Sequence, residues 1–581
     1  MRSILSIWLL AAISFSARAQ SPGCLKVSCI ADSLKTGAHA VMRLDEATIV
    51  YQSAGHYREV VHQIVTVLDD SGARHFDPAF PNNSYKKVLS AVVRILDAEG
   101  IEVKRYGLKD FASNNYDDGF SLVTDANYIS LEPVHPAWPC TMDIRVETDV
   151  SGSISPPSWS IVTKGNSVEF SRYSISMPAG LDLLYKKDHV AGEPVVTQDK
   201  TIRTHSWEMK NLSGLGMVDP GTGKRKFPML RLAVSPFQYG GYTGEIRDWV
   251  TFGKWFWRLY QEPAEPFPAS RQEEIRTMIR QAGSARQVID TLYRYMQHNM
   301  RYVSIWLGIG GLKPFPVSFV DQKKYGDCKA LTNYMRYLLL EAGIKSYPVL
   351  VYAGENAAPI DTSFASSQFN HVILCVPFSG GDTTWLECTS KYTEPGVLGS
   401  FTENRYALLL REDGGHIVST PRSITTGNLL STHMTVELDA DGSGKGELVM
   451  VCKGDLLHTF LEYRATTTRE EWKRYLLHES GLKEPDASVI TDPRPLDGAQ
   501  PLIRVAYEKL PVVNSGGKMF IPFRMITLAP GIEWPVGNAF PSKPFIRRDI
   551  SEYILPEGFR PQSIPEPVSI SGSFGSLKTN Y

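Results

Sequence analysis

One cysteine stands at the start of an amphipathic helix near the middle of the 581-residue chain, and two strand-like runs follow it. The apolar positions after this cysteine recur at helical spacing: Leu331, Met335, Leu338 and Ala342. Gly343 stands where the helix is expected to end. The first strand-like run contains His371 and the second contains Glu387. The chain therefore places Cys328, a histidine and a carboxylate, in that order, at a helix start and in two later strand-like runs.

This order predicts a nucleophilic site. A cysteine in the first helical turn lies at the positive end of the backbone dipoles, beside unpaired N–H groups that stabilise a thiolate. The order Cys328, His371, Glu387 is that of a papain-like cysteine triad. Asp327 is expected to cap the helix. Gln297, on the preceding predicted helix, is either a side-chain donor to the oxyanion or a solvated helix end.

Three blocks of sequence carry a family resemblance: YGDCKALTNYMRYLLLEAGIKSYPVLV, then FNHVIL, then TWLECTS. Together they resemble the transglutaminase-like core of the papain-like superfamily, in which the third member is usually Asp rather than the Glu387 found here. The resemblance implies acyl transfer. Cys328 attacks a carboxamide or peptide carbonyl, His371 keeps the thiolate ionised and protonates the leaving amine, and Glu387 orients His371.

Two classes of function stay open at this point. The first is a cysteine peptidase, amidase or transglutaminase acting on a peptide or protein, and the second is a binding or assembly scaffold with an inert core. Large side chains that close the cleft would favour the scaffold. Within the first class, the glycines of 308–311 predict a flexible, open loop near the site. A thioester open to water hydrolyses, so hydrolysis is favoured over cross-linking.

The expected fold is multidomain α+β, because 581 residues are too many for one hydrophobic core. Short strand-like runs separated by turns predict an N-terminal β-sandwich over residues 20–262, and the stretch from Gly72 to Asp97 resembles a domain often found before transglutaminase-like cores. The transglutaminase-like α+β core is expected over residues 263–411. A mostly β domain follows over 412–581, with one helix capped by Thr468 and Glu471.

The first residues predict export. Arg2, a short apolar stretch and Ala17-Arg18-Ala19 are typical of a signal peptide over residues 1–19, so the expected location is periplasmic or extracellular. No later segment is apolar enough to span a membrane. The net charge of -1 gives no indication of a nucleic-acid partner. Neither a cofactor nor a metal site is expected, since no Cys/His group has zinc-ligand spacing.

The seven cysteines also carry a prediction about pairing. Cys24 and Cys29 are close enough in sequence to form a disulfide across a tight loop, although spacing alone does not establish the pair. An odd number of cysteines leaves at least one thiol free if every partner is internal, and Cys328 is the candidate. Cys375 and Cys388 are expected to be small core residues beside the strands of the triad.

Overall fold

The computed structural model describes residues 23–115, 121–124, 127–161, 164–218, 225–261, 267–306, 308–355, 357–441, 443–480, 490–491, 503–507, 513–515, 518–521, 546–563, 566–572 and 575–579. Within these ranges the protein is a mixed α+β structure with more strand than helix, as the sequence predicts. The predicted signal peptide lies outside the described residues. Cys24 and Cys29 form a disulfide, and the five other cysteines, Cys328 among them, are free.

The N-terminal part is built on one long, eight-stranded sheet. Its strands, in spatial order, are Val195–Asp199, Ile202–Leu212, Asn166–Pro178, Ala40–Ser53, His56–Val67, Cys140–Ser151, Lys86–Leu96 and Glu102–Gly107. Two three-stranded sheets accompany it: Trp159–Ser160, Met229–Ser235 and Asp182–Asp188 form one, and Ala79–Pro81, Asn127–Ser130 and Ala112–Asn115 form the other. One dominant sheet with smaller sheets beside it differs from the two comparable layers of a typical sandwich.

Alternation along the strands explains how these layers pack. In Asn166–Pro178 the side chains of Tyr173, Ile175 and Met177 are buried, while the residues between them are only partly buried. Successive strand residues point to opposite faces of a sheet, so one face carries the apolar set. That face shares an apolar cluster with Leu230 of the smaller sheet. The N-terminal core therefore lies between the long sheet and the short one.

The central part combines a five-stranded antiparallel sheet with most of the helices. The strands, in spatial order, are Thr383–Leu386, His371–Pro377, Tyr347–Val351, Tyr406–Arg411 and Gly414–Ser419. The α-helices of the described residues are α1 (Asp32–Lys35), α2 (Trp249–Gln261), α3 (Ala269–Gln281), α4 (Ala285–Asn299), α5 (Val317–Lys323), α6 (Cys328–Glu341), α7 (Asp455–Thr466) and α8 (Arg469–Ser480). No described helix is both long and apolar enough to cross a membrane.

Helix α6 packs against strand His371–Pro377, and α2 packs against the last two strands of the same sheet. At this second contact Gly253 of α2 meets Gly415 so closely that a Cβ on either residue would overlap the other's backbone. The predicted boundary at 262/263 falls at residues outside the described ranges. The one at 411/412 falls in the turn between Tyr406–Arg411 and Gly414–Ser419. The domain limits stay predictions.

The C-terminal part has a second five-stranded sheet. Its strands, in spatial order, are Ile490–Thr491, Ile503–Tyr507, Gly444–Lys453, Leu429–Leu438 and Ile546–Ile554. Two helices, α7 and α8, accompany the sheet where one was expected. Thr468 and Glu471 form the predicted reciprocal cap, since the Glu471 carboxylate accepts from the Thr468 N–H at 2.9 Å and the Thr468 hydroxyl accepts from the Glu471 N–H at 3.3 Å.

Short two-stranded pairings complete the described structure. They are Met217–Val218 with Arg225–Lys226, Phe237–Tyr239 with Tyr242–Gly244, Arg301–Tyr302 with Tyr325–Gly326, Ser121–Thr124 with Ser304–Trp306, Val513–Ser515 with Lys518–Phe520, and Ser569–Gly572 with Gly575–Lys578. The glycine-rich stretch predicted as a flexible loop instead forms a 3-10 helix, Gly308–Gly311. Its turn is closed by the Leu312 and Lys313 N–H groups, which both donate to the Ile309 carbonyl at 2.8 Å.

Candidate active site

Cys328 is the first residue of α6, as the sequence predicts. The Asp327 carboxylate caps the helix by accepting from the Ala330 N–H at 2.9 Å, so its predicted capping role is confirmed. Its second oxygen lies 2.7 Å from the Lys329 ammonium, and both side chains of this ion pair are almost completely buried. Cys328 is therefore flanked in sequence by a buried carboxylate and a buried ammonium, at the end of the helix where N–H groups lack acceptors.

His371 begins one strand, and Glu387 directly follows the end of the neighbouring strand. The imidazole Nε2 lies 3.0 Å from Glu387 Oε1 and 3.1 Å from Oε2, so Nε2–H donates to the carboxylate. The Thr389 hydroxyl and N–H donate to the same carboxylate at 2.7 and 3.2 Å, and the Thr402 hydroxyl reaches its other oxygen at 3.5 Å. With Nε2 held in this way, Nδ1 is the nitrogen left to interact with Cys328, which contributes to the raised pKa of His371.

Burial and charge act in opposite directions on this pair. Burial alone would lower the pKa of His371, but Glu387 and Cys328 together outweigh it and raise that pKa above its usual value. Burial would likewise raise the pKa of Glu387, but His371 and Thr389 outweigh it and lower that pKa. Both shifts favour an imidazolium beside a carboxylate. A cation next to the thiol is the arrangement that stabilises a thiolate.

Gln297 does not join the other three residues in the way predicted for an oxyanion donor. Its Nε2 amide donates to the Ser390 carbonyl at 3.1 Å and to the Thr393 carbonyl at 2.8 Å, which uses both of its N–H groups. It is not a solvated helix end either, because these bonds tie α4 to the segment after Glu387. Tyr293 of the same helix donates its hydroxyl to the Glu387 carbonyl at 2.7 Å. Helix α4 therefore holds the segment that carries the acid.

The site is covered. Cys328 is 9%, His371 8% and Glu387 5% exposed. Cys328 belongs to an apolar cluster that includes Phe364 from the segment before His371. The ring of Phe401 stands edge-on to the His371 imidazole with centroids 5.5 Å apart, and this phenylalanine is 48% exposed. Little of the Cys328, His371 and Glu387 side chains is therefore open to solvent.

Tyr260 is a residue of the site that the sequence analysis missed. It lies in the last turn of α2, belongs to the apolar cluster of Cys328 and is 1% exposed. Its buried hydroxyl has no hydrogen-bond partner among the described residues. Burial raises the pKa of Tyr260, and of the charged neighbours that raise it further Cys328 acts most strongly and Asp327 next. Sequence gives no signal for this residue, because α2 lies nearly 70 positions before the cysteine and reaches it only through folding.

The other free cysteines differ from Cys328 in their surroundings. Burial raises the pKa of Cys375 and of Cys140 to about 12, and that of Cys388 well above its ordinary value. Thiols of this kind stay protonated and unreactive at neutral pH. Within the described part of the chain, no group of three or more His, Cys, Asp or Glu side chains is arranged to hold a metal ion.

One region of the chain matches the model of a known protein family. Residues 53–214 match the model of DUF3857, a domain of unknown function with a solved structure. No curated protein matches the chain. Among solved structures, a candidate protease from Parabacteroides distasonis ATCC 8503 is 13% identical, with a TM-score of 0.49 over 81% of this chain and 94% of that one. The M1 zinc metallopeptidase from Deinococcus radiodurans is 8% identical, with a TM-score of 0.19 over 36% of this chain and 46% of that one. Neither similarity is a basis for assigning an activity.

Proposed function

We propose that the chain is an exported cysteine-dependent acyl-transfer enzyme that acts mainly as a peptide or amide hydrolase. The observation that carries the proposal is the buried, hydrogen-bonded pair of His371 and Glu387, with Cys328 at the start of a helix near enough to contribute to the raised pKa of His371. A structural histidine has no need of both a carboxylate and a thiol beside its ring. Nucleophile, base and orienting acid together are the functional pattern of a cysteine triad.

The proposed reaction begins with attack of the Cys328 thiolate on the carbonyl carbon. A carbon–sulfur bond forms as the carbonyl π electrons move onto oxygen. When the tetrahedral species collapses, the carbon–nitrogen bond breaks and the His371 imidazolium gives its proton to the leaving amine. Water then attacks the thioester with His371 as the base, which releases the acid and restores the thiol. Glu387 keeps the imidazole in the tautomer that each of these steps needs.

The oxyanion formed in both steps needs hydrogen-bond donors. The N–H groups of the first turn of α6 have no acceptor within the helix, and the Cys328 N–H is one of them. The Tyr260 hydroxyl takes the role that was expected of Gln297, because it is buried in the cluster of the thiol without a partner of its own. A donor already in place and shielded from water stabilises developing charge more strongly than solvent does.

Thiol labelling together with peptide cleavage tests the proposal. We expect iodoacetamide at pH 7 to modify Cys328 before Cys140, Cys375 or Cys388, as read by peptide mass spectrometry. A library of glutamine-containing peptides should yield hydrolysis products, and these should disappear in Cys328→Ala. Adding a primary amine separates hydrolysis from transfer. Dominant, Cys328-dependent incorporation of the amine would replace the hydrolase assignment with a transglutaminase one.

Removing a single hydroxyl tests the oxyanion role. Tyr260→Phe should lower kcat for peptide hydrolysis about 100-fold, because one oxyanion donor is lost. Iodoacetamide alkylation of Cys328 should keep its wild-type rate, since displacement at a saturated carbon forms no oxyanion. The matched control is Tyr334→Phe, whose hydroxyl donates to Asp321 at 2.8 Å. The control should lose stability but keep its kcat, and an unchanged kcat in Tyr260→Phe would exclude the role.

A second candidate function is a binding or assembly scaffold with an inert core. The observation that favours it is the cover over the site, since less than a tenth of each triad side chain is exposed. A scaffold needs no access to its thiol. The labelling experiment separates the two functions, because a Cys328 as slow to react as Cys375, together with no cleavage of any library peptide, is the result expected of the scaffold.

A further inference from the structure

A cavity of about 510 Å³ lies where the N-terminal sheets meet the central part. Its N-terminal wall includes Lys86, Ser155 and Tyr239, and its central wall includes Leu312 and Ser366. The rings of Tyr85 and Tyr239 stack beside it with centroids 4.9 Å apart. Neither part of the chain forms this cavity alone, so it exists only because the two parts pack together.

One segment contributes both to this cavity and to the apolar cluster that contains Cys328. In residues 364–369, the side chains of Phe364, Ala365 and Phe369 belong to that cluster, whereas Ser366, Ser367 and Gln368 line the cavity. Ile154 and Leu312 belong to both the cluster and the lining. The cavity is therefore continuous with the packing around the thiol.

The N-terminal part also contacts residues 361–363, which directly precede this segment. The Lys186 ammonium lies 2.6 Å from an Asp361 carboxylate oxygen and 2.7 Å from the Ser363 hydroxyl. Arg231 lies 3.6 Å from the same carboxylate oxygen of Asp361, and the Trp249 indole N–H donates to the Thr362 carbonyl at 2.7 Å. The position of residues 361–363, which precede this segment, is thus set by contacts from outside the central sheet.

The lining is polar and carries positive charge only. It contains two cations, Lys86 and Arg231, several serine hydroxyls and no carboxylate. Arg231 is paired with Asp188 and Asp361, neither of which lines the cavity. Lys86 forms no ion pair with any described residue, and the buried hydroxyl of Ser155 has no hydrogen-bond partner among them. The charge of Lys86 acts on the partly buried Glu59 carboxyl, but the ammonium donates no hydrogen bond to a described residue. An ammonium and a hydroxyl donor without hydrogen-bond acceptors suit a carboxylate.

We propose that this cavity binds an acidic peptide segment, whose carboxylate is held by the Lys86 ammonium and the Ser155 hydroxyl. The N-terminal β part then contributes to substrate recognition and is more than a mechanical support. That the bound peptide is the acyl donor rests on the proposed function. The binding itself depends on the cavity alone, so each can be tested without the other.

Binding is measured with the full chain carrying Cys328→Ala, so that no peptide is consumed. Three fluorescein-labelled hexapeptides with a central glutamine are compared by anisotropy, with flanking residues that are Glu, Gln or Lys. We expect the Glu peptide to bind at least about tenfold more tightly than the Gln peptide, and the Lys peptide more weakly than both. Adding Lys86→Ala should remove the advantage of the Glu peptide. Adding Lys87→Ala should leave it, because that neighbouring side chain is exposed and does not line the cavity.

The results separate the two proposals. Equal binding of the three peptides, binding of none, or equal effects of Lys86→Ala and Lys87→Ala would overturn the acidic-peptide site. The chain with Cys328 intact is then given the same peptides. Cysteine-dependent hydrolysis without charge preference would leave the proposed enzyme standing and remove the binding site. A charge preference that depends on Lys86, without hydrolysis, would keep the site and remove the enzyme.

Discussion

His371→Gln should slow the alkylation of Cys328 by iodoacetamide at least about 30-fold at pH 7. A thiol with the ordinary pKa of about 8.5 is only about 3% ionised at that pH, whereas a thiol paired with an imidazolium is largely thiolate. Because the raised pKa of His371 keeps its cation in place between pH 6 and 8, the wild-type rate should depend on pH less steeply than the rate in the variant. Alkylation quenched at set times and quantified by mass spectrometry measures the pH profile of the rate in both proteins.

Glutamine is preferred to alanine at position 371 because its amide can still donate to the buried Glu387 carboxylate. The matched control is His416→Gln, which alters a histidine that lies 3.0 Å from Asp413 on the exposed side of the same sheet. That control should react at the wild-type rate. Parallel pH profiles for all three proteins would mean that the imidazole does not ionise the thiol, and the proposed mechanism would fall.

Much of this site follows from local sequence. Helical spacing places Cys328 at the start of α6. Asp327 caps that helix through a hydrogen bond from the N–H of Ala330, only three residues further along the chain. His371 begins one strand and Glu387 follows the end of the next, and the two strands are neighbours in both sequence and space, so the contact follows once the hairpin forms. Capping and alternation are properties of short segments, and short segments are what a sequence displays directly.

What could not be predicted depends on contacts between distant segments. Gln297 is a plausible donor by its place on the helix, but the Ser390 and Thr393 carbonyls that use its amide lie more than 90 positions away. Tyr260 reaches the thiol because α2 packs on the last two strands of the central sheet, through the glycines 253 and 415. The cover over Cys328 likewise comes from packing. No local pattern reports such contacts, since each is set by the whole arrangement of sheets and helices.

Glu387→Ala should lower the free energy of unfolding by about 3–5 kcal/mol at pH 7, because it leaves the buried His371 cation and the Thr389 hydroxyl without their acceptor. Glu387→Gln should cost less, since its amide oxygen still accepts from Thr389. Urea unfolding followed by tryptophan fluorescence measures both changes.

The pH dependence of the same measurement identifies the ion pair. The pKa of His371 is raised on folding, so its contribution to stability is complete below the unfolded value near 6.5 and is lost as the pH rises through the folded value. The pKa of Glu387 is lowered, so its contribution is present above its unfolded value and is lost as the pH falls through the folded one. Wild-type stability should therefore decline on both sides of a plateau, and Glu387→Gln should remove the alkaline decline. If the alkaline decline persists in Glu387→Gln, another group causes it, and the result would contradict a charged His371–Glu387 pair.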